Sequence, residues 1–184
     1  MTEGKTPSPW RNRLLGLLIA AVVFGVDQWL KGYVAGPLGL RVEGDHLDLM
    51  SIFDFTRTHN YGVSLGMLSA QTPEMKLLLI IVTATIAVGV TVWMMRETAL
   101  GDILALGMVL GGAAGNIIDR VRFGYVLDFA DLHFGEFRPF LIFNFADAAI
   151  SIGVVLMLVR ALFMREKPAA AQGGEEADKT AEIS

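Results

Sequence analysis

The chain has 184 residues, 53% of them hydrophobic and only 18% charged, where an ordinary soluble domain is about a quarter charged. Its mean hydropathy is +0.52 and the apolar residues gather in long runs, which points to an integral membrane protein. A net charge of −4 argues against a nucleic-acid partner, and the lack of any cysteine removes disulfides, thiolate metal sites and a cysteine nucleophile together.

Residues 1–12 are mostly polar and hold Lys5 and Arg11, with Arg13 at the junction to the apolar run Leu14–Val26. A basic start and an apolar run also describe a secretory leader, but no A-x-A-like cleavage site follows. The run instead meets DQWLK, with Asp27 and Lys31 at helical i, i+4 spacing. The pattern predicts an uncleaved first transmembrane helix over roughly 13–33. Residues 36–58 bring glycine, proline and charge, and HLDLMSIFDF alternates apolar and polar in places, predicting short strands outside the membrane.

Leu77–Met95 is free of charge and close to the ~20 residues that span a bilayer. Arg96, Glu97 and Asp102 mark a short loop. A third run, Ile103–Ile118, carries Gly107, Gly111 and Gly115, the small-residue stripe that lets another helix backbone come close. It ends in NIIDR, with Asn116, Asp119 and Arg120. A second polar loop covers 121–139, the fourth run covers about 141–163, and the Ala-, Gly- and Glu-rich tail from Glu166 reads as disordered. That tail carries most of the net charge, so the overall sign says little about the rest.

Consecutive spans alternate direction. The end of helix 1, the end of helix 3 and the start of helix 4 therefore share one membrane face, and both polar loops emerge there. Asp27 and Lys31, Asn116, Asp119 and Arg120, and Asn144 and Asp147 converge at that depth. Each has a bland reading. Asp27 with Lys31 can be a simple ion pair, Asn116 an interhelical hydrogen bond, Asp119 with Arg120 a tie between helix 3 and the loop, and Asp147 a partner for a helix dipole. Their convergence favours a site, because ionisable groups inside a membrane are expensive. Asn144 and Asp147, three apart, are expected on one helix face.

Asp128 lies between Leu127 and Phe129 in the second loop, whose apolar neighbours would hold it against the membrane surface. There it could meet Asp147. Two close carboxylates share a proton, leaving one as a base for water and one as an acid for the carbonyl or the leaving amine. That is aspartyl-protease chemistry, and it needs neither cysteine, nor a Ser–His pair, nor a metal. The three histidines, His46, His59 and His133, lack ligand spacing. Asp131, also in the loop, reads as a solvated charge.

The blocks DQWLK, NYGVSLGML, GGAAGNIIDRVRFGYVLDF and FNFADAAISIG, in this order over about residues 14–163, resemble the lipoprotein signal peptidase (signal peptidase II) family of bacterial intramembrane aspartyl peptidases. The resemblance implies an all-α membrane fold of four transmembrane helices with a small periplasmic β-sheet cradle. It implies one domain over residues 1–165, with the cradle at about 36–60 and a periplasmic loop at about 121–139, followed by a cytoplasmic tail at 166–184. The activity implied is cleavage of prolipoprotein signal peptides just before a diacylglyceryl-modified cysteine. By position, the catalytic pair is Asp128 and Asp147. Asp27, Lys31, Asn60, Asn116, Asp119, Arg120 and Asn144 would bind substrate or support the pair, with Asp119 the main rival for a catalytic role. The resemblance also implies a multi-pass protein of the inner membrane, with both termini cytoplasmic and the site near the periplasmic face. It would act on prolipoproteins among membrane lipids, without cofactor or nucleic acid, as a monomer. The NYGVSLG block departs from the usual N-T-G-A-A-F-G at Tyr61, Val63, Ser64 and Leu65, which leaves substrate contacts there open. A proton-coupled transporter would also use intramembrane carboxylates, but usually near the midplane and often with internal repeats. A scaffold would explain the glycines but not two meeting carboxylates.

Overall fold

The computed structural model describes residues 9–63, 68–69 and 72–163. The tail expected beyond 165, and Ser64 and Leu65, lie outside the described residues. Among the described residues four helices are long and apolar enough to cross a bilayer: α1 (Pro9–Ala35), α2 (Pro73–Arg96), α3 (Leu100–Phe123) and α4 (Phe145–Phe163). Three run beyond their sequence-predicted ends. α3 in particular continues through NIIDR, because Asn116 and Asp119 find buried partners and do not need water. It stops at Gly124, whose φ of 78° only glycine adopts freely, and whose N–H closes on the Arg120 carbonyl at 3.0 Å.

α3 is the most buried of the four spans and packs on all three others. The glycine stripe makes this possible. A Cβ on Gly107 would fall on the Gly16 carbonyl oxygen, and one on Gly111 would lie 2.5 Å from the Ala20 carbonyl oxygen. Both face α1. Gly112 and Gly153 do the same between α3 and α4, where added Cβ atoms would sit 2.5 Å and 2.7 Å from the carbonyl oxygens of Ala146 and Ala105. In lipid no hydrophobic force drives helices together, so this close backbone approach supplies the van der Waals attraction. α2 shows Leu77, Leu78, Ile81, Ile86 and Val88 outward, as a lipid-facing helix must.

Among the described residues five strands join the helices. β1 (His46–Met50), β2 (Phe53–Asn60) and β5 (Val126–Leu132) form an antiparallel sheet in the order β1-β2-β5, and β3 (Gly62–Val63) pairs with β4 (Leu68–Ser69). The expected cradle is there, but its third strand comes from the segment read as a polar loop. β5 is buried along almost its whole length. A strand covered on both faces carries no alternation to read, which is why VLDFADL looked like a loop. The sheet roofs a small core of Val34, Leu40, Phe129 and Ala130.

Asp131 corrects the sequence reading. It is 2% exposed, not solvated. β5 places it opposite Asp54, an arrangement that needs compensation. Asp131 accepts from Arg138 Nε at 3.0 Å and from the Thr56 hydroxyl at 3.2 Å, while Asp54 lies 2.8 Å from His133 Nε2.

Candidate active site

The first turn of α4 shows why Asn144 and Asp147 stand where they do. Asn144 is not on the helix face but caps it. Its side-chain oxygen accepts from the Asp147 N–H at 3.0 Å, and Asp147 Oδ2 accepts from the Asn144 N–H at 3.3 Å. This is a reciprocal capping box with aspartate in the usual Glu position. Asp27, from α1, accepts from the next free donor, the Ala146 N–H, at 3.0 Å. The start of α4 is thus held by side chains that take up its free N–H groups.

Behind it lies a charge cluster. Lys31 Nζ sits 2.8 Å from Asp27 Oδ2, 2.8 Å from Asp119 Oδ2 and 3.3 Å from Asn116 Oδ1. The three ionic side chains are almost fully buried. Gln28 reaches both carboxylates, at 3.2 Å to Asp27 and 2.9 Å to Asp119. Asp119 Oδ2 also accepts from the Leu127 N–H at 3.3 Å, tying α3 to the start of β5. The expected tie between helix 3 and the loop is real for Asp119, but its cation is Lys31 rather than Arg120. Arg120 instead donates to the Gly62 carbonyl at 3.3 Å and to the Asn116 carbonyl at 3.5 Å.

Two asparagines connect this cluster to Asp128 and Asp147, and a third holds Asp128 from the sheet. Asn116 donates to Asp147 Oδ1 at 2.8 Å, and its oxygen accepts from Asn144 Nδ2 at 3.2 Å. Asn144 Nδ2 also donates to Asp128 Oδ1 at 2.6 Å. Asn60, at the end of β2, donates to Asp128 Oδ2 at 3.0 Å, and its own oxygen accepts from the Gly62 N–H at 3.1 Å. The ladder explains the reach: Asn60 pairs with Val126, so Asp128 is its diagonal neighbour on one sheet face.

Asp128 and Asp147 both line a groove of ≈ 630 Å³ whose other walls include Phe140, Leu141, Phe143 and Ile150. Burial, then the neighbouring Asp147 charge, pushes the Asp128 carboxyl up to about 7, against the pull of the Asn60 and Asn144 donors. Every site residue named from the sequence joins one connected network. The sequence reading missed Gln28, which was visible only as the neighbour of Asp27 in DQWLK, and the apolar wall from Pro139 to Phe143, which carries no polar signal.

The fold and site together define a multi-pass membrane protein with two carboxylates lining one largely apolar groove at one end of its helix bundle. A family model described as signal peptidase (SPase) II matches residues 19–163. The lipoprotein signal peptidase of Sphingopyxis alaskensis is 50% identical over 163 residues, covering 89% of this chain and 94% of that protein. The lipoprotein signal peptidase of Rhizorhabdus wittichii is 50% identical over 155 residues, covering 84% and 90%. A bacterial membrane enzyme solved by the in meso method at 2.3 Å resolution has a TM-score of 0.70 at 30% identity, covering 83% of this chain and 93% of its own. The chain belongs to the signal peptidase II family and is a membrane peptidase.

Proposed function

We propose that the chain is an aspartic endopeptidase whose catalytic pair is Asp128 and Asp147, and that it cleaves prolipoproteins just before a diacylglyceryl-modified cysteine. The observation that carries this is that both carboxylates line one groove, each held by amide donors and, among the described residues, in no ion pair. With one proton on the pair, the ionised member takes a proton from water as its oxygen attacks the scissile carbonyl. The protonated member gives its proton to the carbonyl oxygen. That proton balance reverses as the C–N bond breaks and the amine leaves protonated. Asn60, Asn116 and Asn144 orient the pair. Lys31, Asp27 and Asp119 fix Asn116 and the start of α4. Arg120 holds the turn after Asn60 through Gly62.

The groove suits a signal peptide that has left its helical form. Its apolar walls take the side chains, and its opening at the helix ends offers water and partners for an unwound backbone, which hydrocarbon would not. With the four described spans alternating in direction, the start of α1 and the end of α4 share one side, and the basic flank of Arg11 and Arg13 supports the cytoplasm as that side. The site then lies near the periplasmic face. The reading needs no cofactor and no second subunit, with residues 1–165 as one working unit and 166–184 as a tail.

The test is cleavage of a diacylglyceryl-modified prolipoprotein by purified Asp128→Asn, Asp147→Asn and Asp119→Asn proteins, with folding followed by thermal melt. The first two are expected folded and inactive, with Asp119→Asn retaining partial turnover. A folded but inactive Asp119→Asn beside an active Asp128→Asn means that the pair is Asp119 and Asp147. Normal cleavage by all three overturns the aspartic mechanism.

A further inference from the structure

The β2–β5 ladder has two faces. Asn60 and Asp128 turn toward the groove, while Arg57 and Leu127 line a second cavity of ≈ 240 Å³ between the ladder and the ends of α1 and α3. Its polar side chains are Gln28, Lys31, Arg57, Asp119, Arg122 and Tyr125.

The hydrogen-bonding inventory of this cavity is one-sided. Both oxygens of Asp119, its single carboxylate, are occupied by Gln28, Lys31 and the Leu127 N–H. The three donors of Lys31 are matched by Asp27, Asp119 and Asn116. Arg57 gives one N–H each to His59, the Leu40 carbonyl and the Tyr125 hydroxyl, and keeps two of its five. The Tyr125 hydroxyl accepts from Arg57 and keeps its own proton. Arg122 is exposed and has no partner among the described residues. Against these donors the lining side chains offer few open acceptor positions: the Gln28 amide oxygen and a second lone pair each on Asp119 Oδ1 and the Tyr125 hydroxyl. Lys31, Arg57 and Arg122 stand against Asp119 and, behind it, Asp27, a surplus of one positive charge, so the cavity suits a group that accepts several hydrogen bonds and carries negative charge.

Its depth narrows the chemistry. Trp29 and Tyr33, on the adjoining face of α1, are exposed and stacked with ring centroids 5.6 Å apart, as aromatic residues are at the membrane–water boundary. Gly32, Ala35, Phe123 and Leu127 give the remaining wall an apolar character. We propose that this cavity binds a phosphate group at headgroup depth, on the sheet face away from the groove. A phosphodiester has no proton to give and four oxygens to accept, which matches Arg122, the spare Arg57 N–H groups and the Tyr125 hydroxyl. The site does not depend on the catalytic reading, since none of these free donors touches Asp128 or Asp147.

The experiment is native mass spectrometry of the full chain released from a non-ionic detergent. It is titrated with phosphatidylglycerol, with diacylglycerol of the same acyl chains, and with inorganic phosphate. The parent is expected to retain phosphatidylglycerol over diacylglycerol. Arg122→Gln should weaken that retention roughly tenfold, the effect of one charge-assisted contact, and Tyr125→Phe roughly threefold. Phosphatidylglycerol that inorganic phosphate fails to displace identifies a lipid as occupant. Inorganic phosphate bound alone, with the same Arg122 dependence, identifies a soluble anion, and either result supports the site. Equal retention of diacylglycerol, or phosphatidylglycerol retained by both variants as by the parent, overturns it.

Discussion

Asp128→Asn is expected to inactivate the protein and yet stabilise it at neutral pH. Asp128 is 2% exposed, and its carboxyl is raised from 3.8 to about 7. The folded-state value therefore lies above the unfolded one. Its contribution is fully present below pH 4 and is lost as pH rises toward 7, because the unfolded chain gives up a proton that the fold retains. A gap of roughly 3 pH units corresponds to about 4 kcal/mol as a ceiling. Asparagine has no charge to desolvate and escapes that loss. It brings its own cost, because Asp128 accepts from both Asn60 and Asn144, and an amide nitrogen there sets donor against donor for about 1–3 kcal/mol. The balance is a gain of about 1–3 kcal/mol at pH 8 and a net loss at pH 4. At roughly 2–4 °C per kcal/mol for a chain of this size, melting curves of both proteins from pH 4 to 8 in one detergent resolve it. A melting difference that stays constant over this range, or that moves in favour of the parent as pH rises, refutes the account of Asp128 as a desolvated acid.

Three other substitutions probe the surroundings. Asn60→Ala removes a donor that favours ionised Asp128, so the alkaline limb of the kcat/KM profile should move up by about 1 pH unit; a limb that stays or falls shows that Asn60 does not act through Asp128. Lys31→Met leaves Asp27 and Asp119 buried without their cation, a loss of about 3–5 kcal/mol and a melt lowered by roughly 10 °C. Adding Asp27→Asn and Asp119→Asn should recover most of it, and failure to recover would assign the loss to packing. Gly115→Ala places a methyl 2.5 Å from Asp27 Oδ2, and the forced shift should lower stability by about 1–3 kcal/mol in a thermal melt; an unchanged melt would mean that α1 yields freely there.

The helices and the convergence of polar groups were legible because hydropathy and alternating direction are properties of the chain alone. The glycine stripe was legible too, since a membrane interface leaves few other uses for G-x-x-x-G. The pairings were not. Asp119 sits beside Arg120 in sequence, yet Lys31 holds it, because successive helix residues point apart while α1 lies alongside α3. Asp131 looked solvated because its cover comes from Thr56 on another strand and from Arg138 seven residues on. Gln28 gave no signal of its own. Its role exists only where α1 and α3 bring Asp27 and Asp119 within reach of one amide.

The capping box changes how a variant of Asn144 should be read. Asn144 does two things at once: it caps α4 through its side-chain oxygen and holds Asp128 through its nitrogen. Asn144→Ala removes both, so lost turnover in that protein says nothing about which mattered. Asn144→Ser separates them. Serine can still cap the helix, but its short hydroxyl, engaged with the Asp147 N–H, does not span the gap to Asp128. The serine protein should melt above the alanine protein by the equivalent of about 1 kcal/mol, while both turn over substrate far more slowly than the parent. Equal melting would mean that the cap contributes nothing to the fold. Turnover restored by serine would mean that the bond to Asp128 is dispensable, and that Asn144 serves the pair only by starting the helix that carries Asp147.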